Sequence, residues 1–242
     1  MQKRVEELDW RQTRMGELTL RRRIDPVLKR EVHEVLLGEE YLMSSSFTVA
    51  EIELARLGLS AVPGEGLDVV VGGLGLGYTA RAALEDPRVR RLWVVEALDA
   101  VIDWQVTGLL PHAPELTGDA RCRLVLGDFF ALVAEGMPFA DEQLLDAILL
   151  DIDHTPEHVL HPSHAAFYSR AGLQKVHDRL RPGGVFALWS DAPPDPDFLG
   201  RLREVFATAE GHLVTFPNPL IDGESSNSVY VAVSRPGRSA AS

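Results

Sequence analysis

The sequence predicts an α/β fold built around a mostly parallel sheet, and three observations support that prediction. Residues 67–71 are apolar or β-branched apart from one aspartate, which is typical of a buried strand. Glycines recur in residues 72–77, and a helical pattern starts at Tyr78. Several later apolar runs end in an acidic residue, and helical stretches separate them. Strands that alternate with helices in this way form parallel sheets with helices on both faces.

Seven strands are predicted in this main sheet, which makes it Rossmann-like. The last two strands, residues 213–216 and 229–233, are joined by a turn and form a β-hairpin, so one strand of the sheet is antiparallel. The other strands are residues 67–71, 92–95, 124–126, 144–150 and 183–189. Helices are predicted over residues 78–84, 98–110, 129–135, 164–180 and 195–209, with a loop over residues 111–119.

Residues 1–60 have a different pattern and predict a small α/β appendage that forms a lid over the sheet. Residues 17–21 alternate apolar and polar side chains, as a strand with one covered face does. Asp25 precedes Pro26, which is the preferred composition of a helix start. The apolar residues that follow fall on one helical face, so a helix is predicted over residues 27–36.

A second helix of the appendage is predicted to end near residue 59, because Thr48 and Glu51 have capping-box spacing. The segment before it, residues 39–48, contains a tyrosine, a methionine and three serines. That segment is either a lid that contacts a ligand or a polar connector. The main domain is then expected over residues 61–234, with a disordered tail over residues 235–242.

Composition and charge exclude several classes of function. The chain has 242 residues and a net charge of −12, so a non-specific nucleic-acid binder is not expected. The single cysteine, Cys122, excludes an intramolecular disulfide and a Cys-rich zinc site. No apolar run approaches the roughly 18 residues of a membrane span, and residues 1–9 are charged. We therefore expect no membrane partner, no signal peptide and a cytoplasmic location.

The glycine turn and the strand ends after it predict a site for a nucleotide-like ligand. Gly73, Gly75 and Gly77 allow the main chain to approach a ligand, and the helix start beside them offers N–H groups. Glu96 ends the next strand, nineteen residues after Gly77, where its carboxylate can accept hydrogen bonds from two ribose hydroxyls. Asp128 follows the third strand and can accept a hydrogen bond from an exocyclic amine such as that of adenine.

Asp151 follows the fourth strand and begins the stretch Asp-Ile-Asp-His-Thr-Pro. Together with the glycine turn, Glu96, Asp128 and the closing hairpin, this order resembles the class I S-adenosylmethionine-dependent methyltransferase fold. Within that superfamily the sequence is most similar to the spermidine synthase branch. The similarity to that branch rests on the small N-terminal domain, on Leu-Met-Ser-Ser-Ser-Phe-Thr-Val-Ala-Glu at residues 42–51, and on Phe-Tyr at residues 167–168.

The resemblance implies a site for S-adenosylmethionine or its decarboxylated form. The glycine turn would hold the methionine side of this cofactor, and Asp151 would lie beside the sulfonium. Glu96 would bind the ribose hydroxyls, and Asp128 the adenine amine, with Phe129 beside the ring. The resemblance also implies a homodimer formed through the N-terminal part and the sheet edge. The cofactor-binding glycines are Gly73, Gly75 and Gly77.

Two departures from the aminopropyltransferase pattern favour methyl transfer. Aminopropyltransferases have an aspartate at the position of Gly75, and it helps to hold the cofactor's chain end. In their Asp-Ser-Ser-Asp-Pro stretch a second aspartate stands where this chain has His154, whereas Asp153 lies one residue earlier. We therefore expect methyl transfer to a small-molecule or peptide acceptor. Aminopropyl transfer to a polyamine, intramolecular attack within the cofactor, and a non-catalytic cofactor-binding domain are the alternatives. For a polyamine, Glu51 is open to two interpretations, a carboxylate that pairs with an ammonium group or a capping residue.

His154 is the best candidate for the base that removes the acceptor's proton, because imidazole titrates near neutral pH. Asp153 is expected to orient it, and Tyr41, with Tyr168 and Trp189, to supply aromatic walls for a cation. Four histidines within residues 154–164 raise the alternative of a metal site. Two prolines interrupt this segment, so we expect a solvated loop and assign no metal. The predicted catalytic residues are Asp151, Asp153, His154 and Tyr41.

Overall fold

The computed structural model of the chain describes residues 5–140 and 144–235. Its N-terminal part is a four-stranded antiparallel sheet in which the strands follow one another in chain order. Leu18 and Leu20 of the second strand and Val35 of the third are fully buried and join the core beneath. The strands are β1 (Val5–Thr13), β2 (Gly16–Asp25), β3 (Arg30–Leu37) and β4 (Glu40–Ser44).

The helix predicted over residues 27–36 is wrong, because this segment is a tight turn followed by strand β3. The Asp25 carboxylate accepts hydrogen bonds from the backbone N–H groups of Val27 and Leu28, both at 2.8 Å. This is the chemistry of a helix cap, but here it closes a turn. Lys29 then has a φ of 53°, which ends any right-handed helix.

A buried charge explains why β3 is a strand despite its helix-like apolar spacing. Glu34 is buried, and its carboxylate accepts hydrogen bonds from Arg21 at 2.7 Å and from Arg23 at 2.8 Å. Both arginines lie on β2, the neighbouring strand, which pairs with β3. Because these partners are distant in sequence, the apolar pattern of residues 27–36 did not reveal them.

The main sheet has seven strands, and the prediction of a mostly parallel sheet with one antiparallel member is confirmed. The strand order is β10-β11-β9-β8-β5-β6-β7. Strand β11 is antiparallel to both of its neighbours, while the other pairs are parallel. The strands are β5 (Leu67–Gly72), β6 (Val89–Glu96), β7 (Cys122–Leu126), β8 (Leu145–Leu150), β9 (Leu180–Ser190), β10 (Thr208–Asn218) and β11 (Gly223–Val233).

Helices cover both faces of this sheet. In β5, Val69 and Val71 belong to the core packed under helices α1–α4, whereas Val70 belongs to the core under α5–α7. Residues 111–119, predicted to be a loop, contain the short helix α4. The helices are α1 (Val49–Ser60), α2 (Tyr78–Leu84), α3 (Asp99–Val106), α4 (Ala113–Gly118), α5 (Phe129–Glu135), α6 (Arg170–His177) and α7 (Pro196–Val205).

Helix α1 joins the appendage to the main sheet. It contacts β8, β9, β10 and β11, and its side chains Leu54 and Leu59 are buried in that core. The division of the chain near residue 60 stays a prediction, and the predicted tail lies, apart from Arg235, outside the described residues. Within residues 5–140 and 144–235, no helix has the length and apolar character needed to cross a membrane.

Candidate active site

A cavity of about 940 Å³ opens at the carboxyl ends of the parallel strands. The glycine turn after β5 and the ends of β6, β7 and β8 form its floor. Two hairpins reach it from outside this edge: the turn between β1 and β2 contributes Arg14 and Met15, and the last hairpin contributes Phe216 and Asn227. Open α/β sheets bind ligands at this edge.

The glycine turn has a backbone that only glycine adopts without strain. Gly73, Gly75 and Gly77 all have positive φ, at 95°, 50° and 91°. A Cβ on Gly73 would lie 2.1 Å from the carbonyl oxygen of Asp151, so the turn and the end of β8 are in direct backbone contact. The turn therefore brings two of the predicted binding segments together and leaves the cavity side of the main chain open.

Glu96 is buried at the end of β6 and is tied to the glycine turn. Its Oε2 accepts a hydrogen bond from the N–H of Leu74 at 3.1 Å, and its Oε1 from the N–H of Leu98 at 2.8 Å. Burial raises the pKa of this carboxyl, although the backbone N–H groups around it favour the charged form. The carboxyl lines the cavity, and its role toward a ribose stays a prediction.

Asp128 and Phe129 lie at the end of β7, and both line the cavity. One oxygen of Asp128 accepts hydrogen bonds from the N–H groups of Phe130 and Ala131, so this carboxylate caps helix α5. The side chain of Phe129 is buried against Gly72, where a Cβ would lie 2.7 Å from the ring. The second oxygen of the Asp128 carboxylate makes no such capping bond, which fits the predicted role toward an amine.

Asp151 forms a small acidic cluster with Thr79, which the sequence interpretation did not assign to the site, and with Glu51, whose role it left open. Its Oδ2 accepts a hydrogen bond from the hydroxyl of Thr79 at 2.6 Å. Glu51 lies close enough to interact electrostatically with Asp151, and both carboxyls line the cavity. Burial, together with the charge of Asp151, raises the pKa of Glu51 to about 8. Burial likewise raises the pKa of Asp151 to about 6.

Of the two interpretations of Glu51, a capping residue or a carboxylate for an ammonium group, the structure does not support the first. Thr48, the residue before α1, makes no side-chain capping hydrogen bond. The sequence did contain a signal, because Glu51 precedes Leu54 and Ala55 by three and four residues. It therefore lies on the face of α1 where those two apolar residues are buried. An acidic side chain on such a face requires a partner or a function.

The expected pairing of Asp153 with His154 is wrong. Asp153 is buried, and its carboxylate accepts hydrogen bonds from Nδ1 of His164, the hydroxyl of Tyr168 and the N–H of Leu160, all at 2.8 Å. Both residues lie in the loop beyond the end of β8, and the path of this loop turns Asp153 into the interior while His154 lines the cavity. Asp153 therefore holds the loop after β8 in place and does not line the cavity.

His154 lines the cavity and has a different carboxylate beside it. Its Nδ1 lies 3.7 Å from Oδ2 of Asp191, and its carbonyl oxygen accepts a hydrogen bond from the Asp191 N–H at 2.9 Å. His161 and His164 line the same cavity, and the His164 ring stacks on Phe130 with centroids 3.9 Å apart. Among residues 5–140 and 144–235, no group of three or more His, Cys, Asp or Glu side chains is placed to hold a metal ion.

The aromatic residues predicted for the site separate into two groups. Tyr41 is 57% exposed, and its hydroxyl accepts a hydrogen bond from Arg21 on the outside of the N-terminal sheet, so it does not line the cavity. Tyr168 is buried beside Asp153, and burial and that carboxylate raise its pKa well above the usual value. Trp189 does line the cavity. From residues 39–48, the side chains that reach the cavity include Met43, Ser46 and Phe47.

Comparison with known proteins identifies relatives of this chain. The chain is 29% identical over 161 residues to polyamine aminopropyltransferase 2 of Pseudomonas aeruginosa, which covers 62% of this chain and 43% of that protein. It is 28% identical over 158 residues to putrescine N-methyltransferase 2 of Nicotiana tabacum, an alignment that covers 63% of this chain and 42% of that protein. The solved structure of spermidine synthase from Thermotoga maritima superposes with a TM-score of 0.70 at 19% identity. The chain is similar in sequence to these polyamine enzymes and similar in fold to spermidine synthase.

The extent of this similarity differs between sequence and structure. The alignments span less than half of the length of the curated relatives. The superposition on the Thermotoga spermidine synthase covers 94% of this chain and 72% of that one, which shows a common fold. A spermidine synthase in complex with the transition-state analogue AdoDATO superposes equally well, with a TM-score of 0.70 at 18% identity. No protein-family model matches the chain.

Proposed function

We propose that the chain is a transferase that binds an S-adenosylmethionine-type nucleoside and moves a group from its sulfonium to an amine. The observation that carries this proposal is the acidic cluster of Asp151, Thr79 and Glu51 beside the glycine turn. An ammonium group needs such carboxylates when it is taken out of water. The names of the relatives, a polyamine aminopropyltransferase and putrescine N-methyltransferases, support an amine acceptor.

The cavity fits the nucleoside half of such a ligand. The glycine turn is a cradle that side chains would fill, because a Cβ on Gly75 would lie 3.3 Å from the sulfur of Met43. Glu96 and Asp128 line the part of the cavity next to this turn. When bound, the sulfonium supplies a carbon that is already electrophilic, so the protein's task is orientation and removal of a proton.

The residues of the chain would act on the acceptor amine. Asp151 would hold the amine through a charge-assisted hydrogen bond and, with its raised pKa, is a stronger base than an ordinary aspartate. His154, beside Asp191, would accept the proton that the nitrogen loses. The nitrogen forms a bond to the transferred carbon, the carbon–sulfur bond breaks, and the sulfur keeps the electron pair as a neutral thioether.

Methyl transfer is the first reaction to test, and one observation favours aminopropyl transfer as the second. Gly75 stands where a carboxylate for the aminopropyl chain end would be expected, which favours the methyl donor. The charges around the cavity favour aminopropyl transfer. Four carboxylates line the cavity, whereas Arg14 is the one arginine or lysine among its described lining residues. A decarboxylated chain end, which is positively charged, avoids repulsion by these groups. The four carboxylates are Glu51, Glu96, Asp128 and Asp151.

The test combines calorimetric binding with identification of the by-product. The protein is titrated with S-adenosylmethionine and with its decarboxylated form, and each is then incubated with an amine. Methyl transfer releases S-adenosylhomocysteine, whereas aminopropyl transfer releases methylthioadenosine, and mass spectrometry separates the two. Asp151→Asn should lower turnover about 100-fold or more, whereas Asp178→Asn, at an exposed carboxylate after α6, should not change it.

Three outcomes would contradict the proposal. Binding of neither nucleoside excludes a site of this type. Binding with no product supports a non-catalytic domain, and product formed in the absence of an amine supports intramolecular attack. A homodimer and a cytoplasmic location stay predictions, and the elution volume of the purified chain tests the first of them.

A further inference from the structure

Beyond the acidic cluster, the cavity continues into an arm that no part of the reaction above uses. We define the acceptor arm as the walls formed by Phe47, Trp189, Phe216, Asn218, Ser225 and Asn227, all of which line the cavity. We propose, building on the transferase function, that this arm takes the uncharged, hydrogen-bonding end of an acceptor whose other end is an amine. The acceptor is then a primary amine with a hydroxyl or amide tail, and not a diamine.

Strand register connects the arm to Asp151. Leu150 of β8 pairs with Leu188 of β9, so Asp151 and Trp189 follow as neighbours at the same edge. Trp189 pairs with Val229 of β11, and Asn227 lies two residues further along β11 on the same face. Two strand spacings separate β8 from β11, which is about 10 Å. A small amine held at Asp151 can therefore extend along this face toward Asn227.

The four arm residues that belong to the last hairpin, Phe216, Asn218, Ser225 and Asn227, lie on one face of it and are neutral. Phe216 pairs with Ser225, and Asn218 pairs with Gly223, in the antiparallel register of β10 and β11. The amide of Asn218 donates a hydrogen bond to the hydroxyl of Ser225 at 2.8 Å, and its oxygen accepts one from the N–H of Leu220. The arm thus presents amide and hydroxyl groups along one side.

An apolar wall closes the other side of the arm. The rings of Phe47, which precedes α1, and Phe216 stack with centroids 5.4 Å apart and an interplanar angle of 28°. Such a wall accommodates the methylene groups of a short chain and limits access of water to its end. A charge at that end would lose hydration and would need a partner of opposite sign.

None of the six residues that form the acceptor arm is acidic, and the four carboxylates of the cavity are Glu51, Glu96, Asp128 and Asp151. Glu224 lies between Gly223 and Ser225, so it faces the other side of β11 and is exposed. Asp191, at the end of β9, lies beside His154 rather than in the arm. A second ammonium group in the arm would remain unpaired, whereas a hydroxyl or amide would find partners in Asn218, Ser225 and Asn227.

The test compares three amines that differ in their far end alone: 1,4-diaminobutane, 4-aminobutan-1-ol and 4-aminobutanamide. Each is titrated into the full chain by calorimetry and then used as an acceptor in turnover. We expect the alcohol and the amide to bind about tenfold more tightly than the diamine, or better, and to show the same order in kcat/KM. Asn227→Asp, which adds a carboxylate to the arm, should reverse that order.

A matched control adds the same charge on the opposite face of β11. Ser226→Asp is one residue away and should leave the order of the three amines unchanged. Tighter binding of the diamine by the natural chain, equal binding of the three amines, or an order unaffected by Asn227→Asp would overturn the inference. The amine titrations contain no sulfonium nucleoside, so failure of the inference is distinguished from failure of the donor site, which the nucleoside titrations measure.

Discussion

Asp153 accepts a hydrogen bond from Nδ1 of His164 at 2.8 Å, although His154 is its neighbour in the chain. The bond fixes the His164 ring, whose Nδ1 carries the proton when it donates to the carboxylate. The same carboxylate also accepts from the hydroxyl of Tyr168. The pair therefore anchors the loop that carries His154, His161 and His164 along the cavity.

This anchor leads to a prediction about stability. Asp153→Asn replaces one acceptor oxygen by an NH₂ group. This group is itself a donor, so it cannot accept a hydrogen bond from the groups that donate to Asp153. We expect the free energy of unfolding to fall by about 2 kcal/mol, because buried donors are left without acceptors. Urea denaturation measures the change. Asp191→Asn is the control, since that carboxylate is 45% exposed, and an equal loss in the two variants would contradict the anchoring role.

The contact between the glycine turn and β8 predicts a loss of ligand binding. Gly73→Ala places a Cβ within 2.1 Å of the Asp151 carbonyl oxygen, so one of the two segments must move. We expect nucleoside affinity to fall at least about tenfold and the melting temperature to fall as well. Gly66→Ala is a matched control, because Gly66 also has a positive φ, 69°, but has no heavy atom within 4 Å of the added Cβ. Similar affinities in the two variants would exclude the steric explanation.

The acidic cluster predicts that binding of an amine is coupled to release of a proton. Burial raises the pKa of both Glu51 and Asp151, and more strongly that of Glu51, so the pair holds about one proton near neutral pH, mainly on Glu51. A bound ammonium favours the charged form of Glu51, so about one proton should leave on binding at pH 7. Calorimetry in phosphate and in Tris buffers measures this number, because the two buffers differ in their heat of ionisation.

Two further results test this assignment to Glu51. Glu51→Gln should abolish the proton release, whereas Glu53→Gln, on the same helix and paired with Arg56, should preserve it. The raised pKa of Glu51 also predicts how the stability of the fold changes with pH. Because the folded-state pKa lies above the ordinary glutamate value of 4.5, burial of Glu51 destabilises the fold increasingly as the pH rises from 4.5 toward 8. Glu51→Gln should therefore be more stable than the natural chain at pH 9, and a less stable variant would argue against this view.

A charge cluster at the opposite end of the sheet predicts sensitivity to acid. Burial alone would raise the pKa of Asp68, but hydrogen bonds from Arg91 and Arg90 lower it below its usual value. Arg181 also contacts the same carboxylate at 3.2 Å. Asp68→Asn removes the carboxylate that these guanidinium groups share, and we expect a loss of about 3 kcal/mol at pH 7.

The pH dependence of the Asp68 contribution follows from the direction of the shift. A folded-state pKa below the ordinary aspartate value of 3.8 gives stability that is present above pH 3.8 and is lost as the pH falls further. The difference between the natural chain and Asp68→Asn should therefore shrink below pH 4. Glu204→Gln removes an exposed ion pair with Arg170 as a control, and a pH-independent difference for Asp68→Asn would contradict the assignment.

Sequence patterns predicted the main sheet because each strand carries its own signal. A buried strand such as β5 is apolar apart from Asp68, and its end is marked by glycine. The helix predicted over residues 27–36 was wrong because the local pattern of this segment also fits a turn and a strand. The turn at Asp25 uses the same hydrogen bonds as a helix start, and the partners of Glu34 lie on another strand. Local patterns contain no information about such distant partners.

The candidate site could be predicted in part for the same reason. Topology alone brings Gly73, Glu96, Asp128 and Asp151 to one edge of the sheet. The direction of a side chain beyond a strand end depends on the path of the next loop, so the orientation of Asp153 was not predictable. Tyr41 lies on an edge strand of the N-terminal sheet, and which face of that strand meets the cavity depends on packing between the two sheets.

The glycine turn and the last hairpin line the same cavity but lie far apart in the chain, and this has a consequence for biosynthesis. Gly77 and Asn227 are 150 residues apart (227 minus 77), an interval of roughly 8–30 s on the ribosome. The glycine turn emerges early, while the hairpin residues of the acceptor arm emerge last. A ligand that contacts both ends can therefore stabilise the finished protein but not the nascent chain, which must reach β11 without that help.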